Sequence, residues 1–547
     1  MDGAIAAPHA WPSAVVVLLA AIPWLFPFTS GPSPAALPWL VSAACACLLA
    51  CSGPWPSSRG FTAFAMASAA VAGWALLSHP ANPVDALYLA AGLGVIVLVA
   101  AVARTPGIFG AIETGLLLAA MASAVIGLVQ YFGLSQHFAP LVDIAASGEA
   151  FANLRQTNQY ATLCWIGMAI LVCRPAAMAL PLACGGAILL ASAAAASVSR
   201  TGLVEAIALL VLAVFWPAAD RRRRLALCAT AVAAYAIASL ALPMLFEALT
   251  GALPERTLLN RIATEAGCHS RLVLWRNVLQ LIAAHPWLGW GWGSLDEAHF
   301  LTLYPGPRFC EILDNAHNLP LHVAVELGVP AAMLLCVGGL AWCWTQRPWR
   351  EQDPARQAAW SVLVLVGLHS LLEYPLWYGP FQIACGAALG CLLAGGPGAQ
   401  PLRRGILGTA LPLLLVAGVG YAAWDYWRVS QVYLPPSERR EAWRADPLSN
   451  ASHSWLFAAQ ARFAELTLTD IDRSNAAENA ALAREMLHYS PEPRVVERLI
   501  EADTLLGNDR EAVAMLARYR AAYPQDYEKW REAQRPQRAN AGSGDQD

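Results

Sequence analysis

The chain has 547 residues, of which 57% are hydrophobic and 13% are charged, and its mean hydropathy is +0.46. Soluble domains carry about 25% charged residues, so this composition excludes a water-soluble enzyme. The formal charge is -3, and Lys529 is the only lysine. No nucleic-acid partner is expected, because this charge balance offers no basic surface.

Apolar segments fill the chain from Trp11 to Trp427 and then stop. Most approach the roughly 20 residues that a helix needs to cross the hydrocarbon core of a membrane. They predict an all-α fold, a polytopic bundle of about 12 to 13 transmembrane spans. Pro375 and Gly379 interrupt the region 358–394, which we divide into two spans. The predicted spans are residues 11–28, 36–51, 61–78, 84–103, 107–134, 157–173, 176–196, 202–217, 225–248, 320–344, 358–374, 376–394 and 406–427.

Arginines collect in every second loop between these spans, whereas the short loops near Thr29 and Ala81 have none. Positively charged loops stay in the cytoplasm, so the N-terminus is predicted to be cytoplasmic and the C-terminal region to lie outside. The first helix is expected to be retained, because residues 1–10 lack the cationic region of a signal peptide. The arginines of the predicted inside loops are Arg59, Arg104, Arg174, Arg221, Arg222, Arg223, Arg224, Arg347, Arg350, Arg356, Arg403 and Arg404.

Beyond Trp427 the composition changes to Arg, Glu, Asp and Ala, and helical periods appear. Two apolar stripes flank a turn at Gly507 and Asn508, a pattern that resembles one tetratricopeptide-like helix pair. The final stretch is polar and is expected to be disordered. The predicted domains are 1–248 and 320–427 in the membrane, 249–319 as a large outside loop, 428–530 as a tetratricopeptide-like helical domain, and 531–547 as a disordered tail.

Two of the 13 cysteines differ from the rest in their surroundings. Most lie inside predicted helices, where a free cysteine behaves as a small apolar residue. Cys268 and Cys310 both lie in the large outside loop, and a compartment outside the cytoplasm permits a disulfide. The sequence allows either a bridge between them or two free thiols.

Five polar clusters meet the predicted outer face of the membrane, at residues 151–163, 197–203, 269–295, 314–330 and 369–382. Ionisable groups inside a membrane are costly, so polar clusters that meet its face are functional hypotheses by default. Arginine forks bind phosphate oxygens in pairs, and a neutral histidine can take a proton from a hydroxyl. The clusters contain no phosphate-binding glycine loop, HExxH helix or CxxC pair, so neither nucleotide hydrolysis nor metal catalysis is expected. The pattern predicts an anionic lipid substrate reached from the outer leaflet.

The motifs of these clusters occur in a fixed order: NLRQTNQYATL, SRTGL, SRLVLWRNVLQLIAAHPWLGWGWG, NAHNLPLHVAVELGVP and HSLLEYPLWYGPFQIA. In this order, on a multi-span chain with a helical outside tail, they resemble the bacterial PglL-type O-oligosaccharyltransferases of the O-antigen ligase and polymerase superfamily. His317 and Asn318, followed by nine residues and Gly328, also match the histidine signature of the ligases. Ala331 departs from that signature, which has Gly, Thr or Tyr at this position.

The resemblance implies transfer of a preassembled glycan from undecaprenyl pyrophosphate to an acceptor hydroxyl, without a cofactor or metal. It implies a multi-pass protein of the bacterial inner membrane, with the active site and C-terminal domain in the periplasm. His317 is then the base, and Arg200, Arg271 and Arg155 bind the pyrophosphate. The residues expected to support the site or bind the acceptor are Gln156, Gln159, Asn318, His322, Glu373, Tyr374 and Tyr378.

The acceptor distinguishes the enzymatic alternatives. PglL-type enzymes modify Ser or Thr hydroxyls of proteins such as pilins, ligases use a sugar of lipid A core, and repeat-unit polymerases use another glycan. The non-enzymatic alternatives are a transporter and a membrane-anchored scaffold. A transporter predicts polar residues at the bilayer midplane of several helices, whereas the clusters of this chain lie at one face.

Overall fold

The computed structural model describes residues 13–53, 55, 58–78, 82–174, 178–252, 254, 267–394 and 406–534. Within these ranges the regular elements are helices, and no strand occurs. The α-helices are α1 (Ser13–Leu25), α2 (Ala36–Ala50), α3 (Arg59–Ser78), α4 (Pro83–Ala103), α5 (Pro106–Tyr131), α6 (Thr157–Cys173), α7 (Leu180–Ala196), α8 (Arg200–Phe215), α9 (Arg221–Thr250), α10 (Arg271–Ala284), α11 (Leu295–Leu301), α12 (Leu319–Leu327), α13 (Val329–Gln346), α14 (Pro354–Ser370), α15 (Gly379–Leu392), α16 (Ile406–Ser430), α17 (Pro447–Ser452), α18 (Ala458–Leu468), α19 (Ala476–Tyr489), α20 (Pro493–Leu506), α21 (Asp509–Ala522) and α22 (Pro524–Gln534).

The chain divides into two compact units. Unit 1 comprises Met1–Glu265, His317–Val323 and Pro330–Ser430, and unit 2 comprises Ala266–Ala316, Ala324–Val329 and Gln431–Asp547.

Unit 1 contains the membrane-spanning helices. In the described part of the chain, five helices are long and apolar enough to cross a membrane by length and composition: Arg59–Ser78, Pro83–Ala103, Gly107–Tyr131, Arg221–Thr250 and Val329–Arg350. Only 6% of the apolar window of α3 is buried inside the protein, so this helix presents an apolar surface that suits lipid. The protein is therefore a helical membrane protein.

Helix α6 occupies the centre of unit 1. Every residue from Gln159 to Cys173 is buried, and the helix packs against α5, α7, α8 and α14. A helix that is apolar on all sides is stable only when other helices surround it. The burial of the apolar residues of α6 thus also keeps the polar residues of its first turn inside the bundle.

Gly386 and Gly390 allow α15 to pack closely against α4. A Cβ atom at either glycine would lie 2.6 Å from the carbonyl oxygen of Ile96 or Ala100. Small residues four positions apart let membrane helices approach in this way.

One predicted span is wrong, because it was expected to be a single continuous helix. Residues 320–344 form two helices, α12 and α13, rather than one. Gly328 separates them with a φ of 91°, and a Cβ there would lie 2.1 Å from the carbonyl oxygen of Trp287. In 358–394, the interruption at Pro375 and Gly379 does separate two helices, α14 and α15.

In unit 2, the large loop and the C-terminal tail share one apolar core. Phe300 of α11 is buried with Met486, Leu499 and Tyr519 of the tail helices. Arg518 Nε donates to the carbonyl oxygen of Leu301 at 3.0 Å. The segments predicted as separate domains, 249–319 and 428–530, are thus parts of one folded unit where the structure describes them.

The predicted helix pair of the tail is present as α20 and α21, with Gly507 between them at a φ of 75°. Helix α22 extends to Gln534, so residues 531–534 are helical and the prediction of disorder from 531 is wrong there. Residues 535–547 lie outside the described part of the chain.

Candidate functional site

His317 and Glu373 form a close pair in unit 1. His317 Nδ1 lies 2.6 Å from Glu373 Oε2, and the two side chains are 17% and 12% exposed. His317 precedes α12 and has a φ of 49°, a conformation that a non-glycine residue adopts at an energetic cost. A carboxylate on Nδ1 selects the tautomer with its proton on that nitrogen and its lone pair on Nε2. The pair is therefore arranged to accept a proton at Nε2.

A chain of side-chain hydrogen bonds connects Glu373 to the start of α8. Asn158 Nδ2 donates to Glu373 Oε1 at 3.3 Å, and Ser199 Oγ donates to Asn158 Oδ1 at 2.7 Å. Ser199 is also the N-cap of α8, because its Oγ accepts the Gly202 N–H at 2.9 Å. Asn158 and Ser199 thus couple the acidic partner of His317 to the helix that begins with Arg200.

Arg200 is the first residue of α8, and its side chain is exposed. Among the described residues it has no hydrogen-bond or ion-pair partner. A guanidinium at a capped helix N-terminus combines two features that favour anions, the charged fork and the oriented backbone N–H groups. This part of the site can accept a phosphate group.

Arg271 belongs to unit 2, where it is the first residue of α10. Ser270 Oγ caps this helix by accepting the Leu272 N–H at 3.2 Å. The arginine is half-buried. Its predicted contact with pyrophosphate stays a prediction.

Arg155 is held by its own surroundings in unit 1. Its guanidinium binds Asp143 at 2.9 Å and also donates to the carbonyl oxygen of Pro27. Burial raises the pKa of Asp143, although Arg155 acts in the opposite direction. Arg155 itself has a φ of 60°. These contacts fix the loop before α6, a role that competes with the predicted binding of pyrophosphate.

Gln156 and Gln159 both act at the start of α6. Gln156 is the N-cap, and its Oε1 accepts the Gln159 N–H at 2.6 Å. Gln159 is 2% exposed, and its Oε1 has no hydrogen-bond partner in the described part of the chain. The capping role of Gln156 accounts for its side chain without a substrate contact.

Aromatic side chains line the region around His317. Tyr374 meets the His317 ring edge-on, with the centroids 4.9 Å apart, and stacks on Tyr378 at 5.9 Å. His322 is buried and meets Trp377 edge-on at 4.8 Å. Of these rings, Tyr374 contacts His317 directly, and Trp377 and Tyr378 adjoin Tyr374 within the EYPLWYG segment.

Asn318 supports the local fold beside His317. Its Nδ2 donates to the carbonyl oxygen of Leu371 at 3.0 Å, and its Oδ1 accepts the Leu321 N–H at 3.1 Å. The side chain thereby caps α12 and ties it to the segment after α14.

Cys268 and Cys310 are joined by a disulfide in unit 2, with their Cα atoms 5.6 Å apart. Together with His269 they are the group of donor atoms in the described residues that could hold a metal ion. In the bonded state the two sulfurs cannot act as thiolate ligands. His269 Nδ1 lies 2.7 Å from Glu311.

The sequence did not single out three buried polar residues below the site: Thr162 of α6, Glu205 of α8 and His369 of α14. Thr162 Oγ1 lies 2.7 Å from Glu205 Oε1 and 2.8 Å from His369 Nδ1. Glu205 could have been found, because it is a carboxyl group inside the apolar run GLVEAIALL and such groups are rare in membrane helices.

Two family models match the chain. Residues 185–336 match the O-antigen ligase family, and residues 357–538 match the family described as virulence factor membrane-bound polymerase, C-terminal. The first match includes Arg200, Arg271 and His317, and the second includes Glu373.

A curated relative also resembles the chain. The general O-oligosaccharyltransferase of Acinetobacter baylyi is 25% identical over 287 residues, which cover 51% of this chain and 49% of the relative. The match thus spans about half of that relative's length. The chain thus resembles the O-antigen ligase superfamily and, within it, the PglL-type O-oligosaccharyltransferases.

Proposed function

We propose that this protein transfers a preassembled glycan en bloc from undecaprenyl pyrophosphate to Ser or Thr hydroxyls of periplasmic proteins such as pilins. The observation that carries the proposal is the His317 and Glu373 pair, connected through Asn158 and Ser199 to the helix that begins with Arg200. It combines a proton acceptor with a group that can bind a departing phosphate.

The reaction is a single displacement. The acceptor oxygen forms a bond to the anomeric carbon of the glycan while the bond from that carbon to the pyrophosphate oxygen breaks. The electron pair of the broken bond stays on the pyrophosphate, and the hydroxyl proton moves to His317 Nε2. Glu373 stabilises the resulting imidazolium through Nδ1. One displacement inverts the configuration at the anomeric carbon, and no metal is assigned a role.

Arg200 offsets the charge that grows on the leaving pyrophosphate. Its guanidinium has no partner among the described residues, so it does not need to break an ion pair before it binds the donor. Preorganised charge of this kind is usually the largest single catalytic contribution. The lipid-linked donor reaches the site by diffusing among the membrane lipids of the same leaflet.

The arginine distribution supports an orientation in the bacterial inner membrane with the site in the periplasm. In this proposal the apolar helices of unit 1 provide 12 to 13 spans, about the number that the hydropathy pattern predicts. The helical tail is a tetratricopeptide-like surface that holds an extended acceptor segment, as stacked helical repeats do.

An acceptor competition tests the proposal against its alternatives. Purified protein receives one labelled lipid-linked glycan together with a Ser-containing pilin and a lipid A core. Label on the pilin is the expected result. Label on lipid A core alone selects an O-antigen ligase, and release of longer glycan without either product selects a repeat-unit polymerase. No labelled product from any acceptor contradicts glycan transfer.

A further inference from the structure

A second polar cluster lies inside unit 1, in the apolar interior of the bundle. Thr162, Glu205 and His369 are each 0% exposed. Glu205 Oε1 and His369 Nδ1 are 4.0 Å apart, with the Thr162 hydroxyl between them. Among the residues that the structure describes, neither Glu205 Oε2 nor His369 Nε2 has a hydrogen-bond partner.

The donors and acceptors around the Thr162 hydroxyl restrict the protonation of this cluster. The oxygen lies 2.9 Å from the Asn158 carbonyl oxygen, 2.7 Å from Glu205 Oε1 and 2.8 Å from His369 Nδ1. A hydroxyl has one proton, and a carbonyl oxygen can only accept. Thr162 therefore donates either to the Asn158 carbonyl oxygen or to Glu205 Oε1. When it donates to Asn158, both Glu205 and His369 must donate to Thr162. This arrangement requires a protonated carboxyl group on Glu205 and a proton on His369 Nδ1.

The burial of Glu205 without a permanently charged partner supports a neutral carboxyl group. Among the described residues, the only basic group that contacts Glu205 is His369. An ionised carboxylate in an apolar interior is costly unless it is paired, and such a group takes up a proton instead. A carboxylic acid that donates to Thr162 avoids this cost.

The cluster joins the same three helices as the site, between one and two turns deeper. Thr162 follows Asn158 by four residues on α6, Glu205 follows Ser199 by six on α8, and His369 precedes Glu373 by four. Residues four apart on a helix lie on the same face, which applies to the pairs 158/162 and 369/373. The Glu373 N–H donates to the His369 carbonyl oxygen at 2.8 Å, which continues this turn beyond α14. The three helices are thus joined twice, once at the site and once below it.

We propose that Thr162, Glu205 and His369 form a neutral clamp that positions the site above it. The clamp fixes the rotation of α6, α8 and α14, so that Glu373 meets His317 and Asn158 while Ser199 caps the helix of Arg200. These three are positioning residues rather than catalytic residues, because they act through Asn158, Ser199 and Glu373. The kinetic test of this clamp rests on the proposed function, because it measures kcat for glycan transfer.

The test compares Glu205→Gln with Glu205→Ala. Glutamine has the shape of the neutral acid and an N–H donor for Thr162, so kcat is expected to stay within about threefold of the wild type. Alanine removes the clamp, and misplacement of catalytic groups is expected to lower kcat by about 10- to 100-fold. KM for donor and acceptor is expected to stay near the wild-type value, because the clamp is fully buried and presents no surface to either substrate.

Glu113→Ala is the matched control for folding. Glu113 is also buried in unit 1, at 4% exposure, and binds Arg174 at 3.2 Å. Its loss is expected to lower the melting temperature without lowering kcat of the folded protein. An equal loss of kcat in Glu113→Ala and Glu205→Ala would overturn the positioning role, as would wild-type kcat in Glu205→Ala.

Infrared spectroscopy tests the neutral state without any assay of activity. Wild-type protein in membranes should show the carbonyl band of a buried carboxylic acid that is missing from Glu205→Gln. Identical spectra would overturn the neutral clamp, as would equal inactivity of Glu205→Gln and Glu205→Ala. A wild-type protein that transfers no glycan but shows this band would contradict the proposed function and leave the neutral clamp supported.

Discussion

Replacement of Glu373 by glutamine should lower the rate of glycan transfer while leaving the protein folded. The carboxylate uses both oxygens as acceptors, Oε2 for His317 and Oε1 for Asn158. An amide has one acceptor oxygen, so its NH2 group must face one of these two donors. The variant also replaces a charge-assisted hydrogen bond to the imidazolium with a neutral one. Together the two losses amount to about 2 to 3 kcal/mol, which corresponds to about 30- to 150-fold in kcat.

The assay measures kcat and KM separately, with purified protein, lipid-linked glycan and an acceptor protein. Glu113→Gln is the control, since it makes the same change at a buried glutamate that binds Arg174 instead of His317. The control should retain wild-type kcat. If Glu373→Gln also kept kcat within about threefold of the wild type, the carboxylate would not stabilise the catalytic imidazolium, and the reasoning would be refuted.

Three further predictions concern the arginine, the disulfide and the acid stability of unit 2. Arg200→Lys should lower kcat by about 10- to 100-fold, because a point charge cannot replace a planar fork; unchanged kcat would move the phosphate site elsewhere. Replacing Cys268 and Cys310 by serine opens a loop with a sequence separation of 42, which should lower the free energy of unfolding by about 4 kcal/mol and the melting temperature with it; an unchanged melting temperature would contradict this. Burial lowers the pKa of His299 from 6.5 to about 3, and Arg308 adds to the effect. Only the unfolded chain takes up this proton between pH 6.5 and 3, so stability should fall as the pH decreases through this window, by at most about 1.4 kcal/mol per pH unit. Thermal unfolding should show a shallower pH dependence in His299→Gln, and equal slopes would exclude this residue as the cause.

Hydropathy located the helices well because apolar length is a local property. The predicted segments 36–51 and 157–173 nearly coincide with Ala36–Ala50 and Thr157–Cys173. The break at Gly328 was missed because hydropathy continues through it. Its cause is a close approach of the Trp287 carbonyl oxygen, which is distant in sequence.

The candidate site was predicted as a set of residue types but not as a set of contacts. His317 and Glu373 are 56 residues apart, and no local pattern indicates that they pair. Asn158 and Ser199 received no role because their importance arises from the hydrogen bonds that they make across helices. Arg155 shows the opposite case, since its residue type suggests an anion site while its contact is Asp143.

The shared core of unit 2 also changes how the role of the tail should be tested. Deletion of residues 437–547 would expose Phe300, which packs among tail residues, and would therefore disturb the large loop as well. Loss of activity in such a deletion would not identify an acceptor surface. Substitution of exposed tail side chains, such as Val513 at 64% exposure, leaves this core intact.

The central claim is that His317 takes the proton of the acceptor hydroxyl during en bloc transfer. The most direct measurement is the single-turnover rate of His317→Ala with purified lipid-linked glycan and acceptor, beside the wild type. Loss of a general base should lower this rate by about 100- to 10,000-fold, while the melting temperature and the binding of the donor remain near the wild-type values. A rate within about tenfold of the wild type would contradict the assignment of His317 as the base.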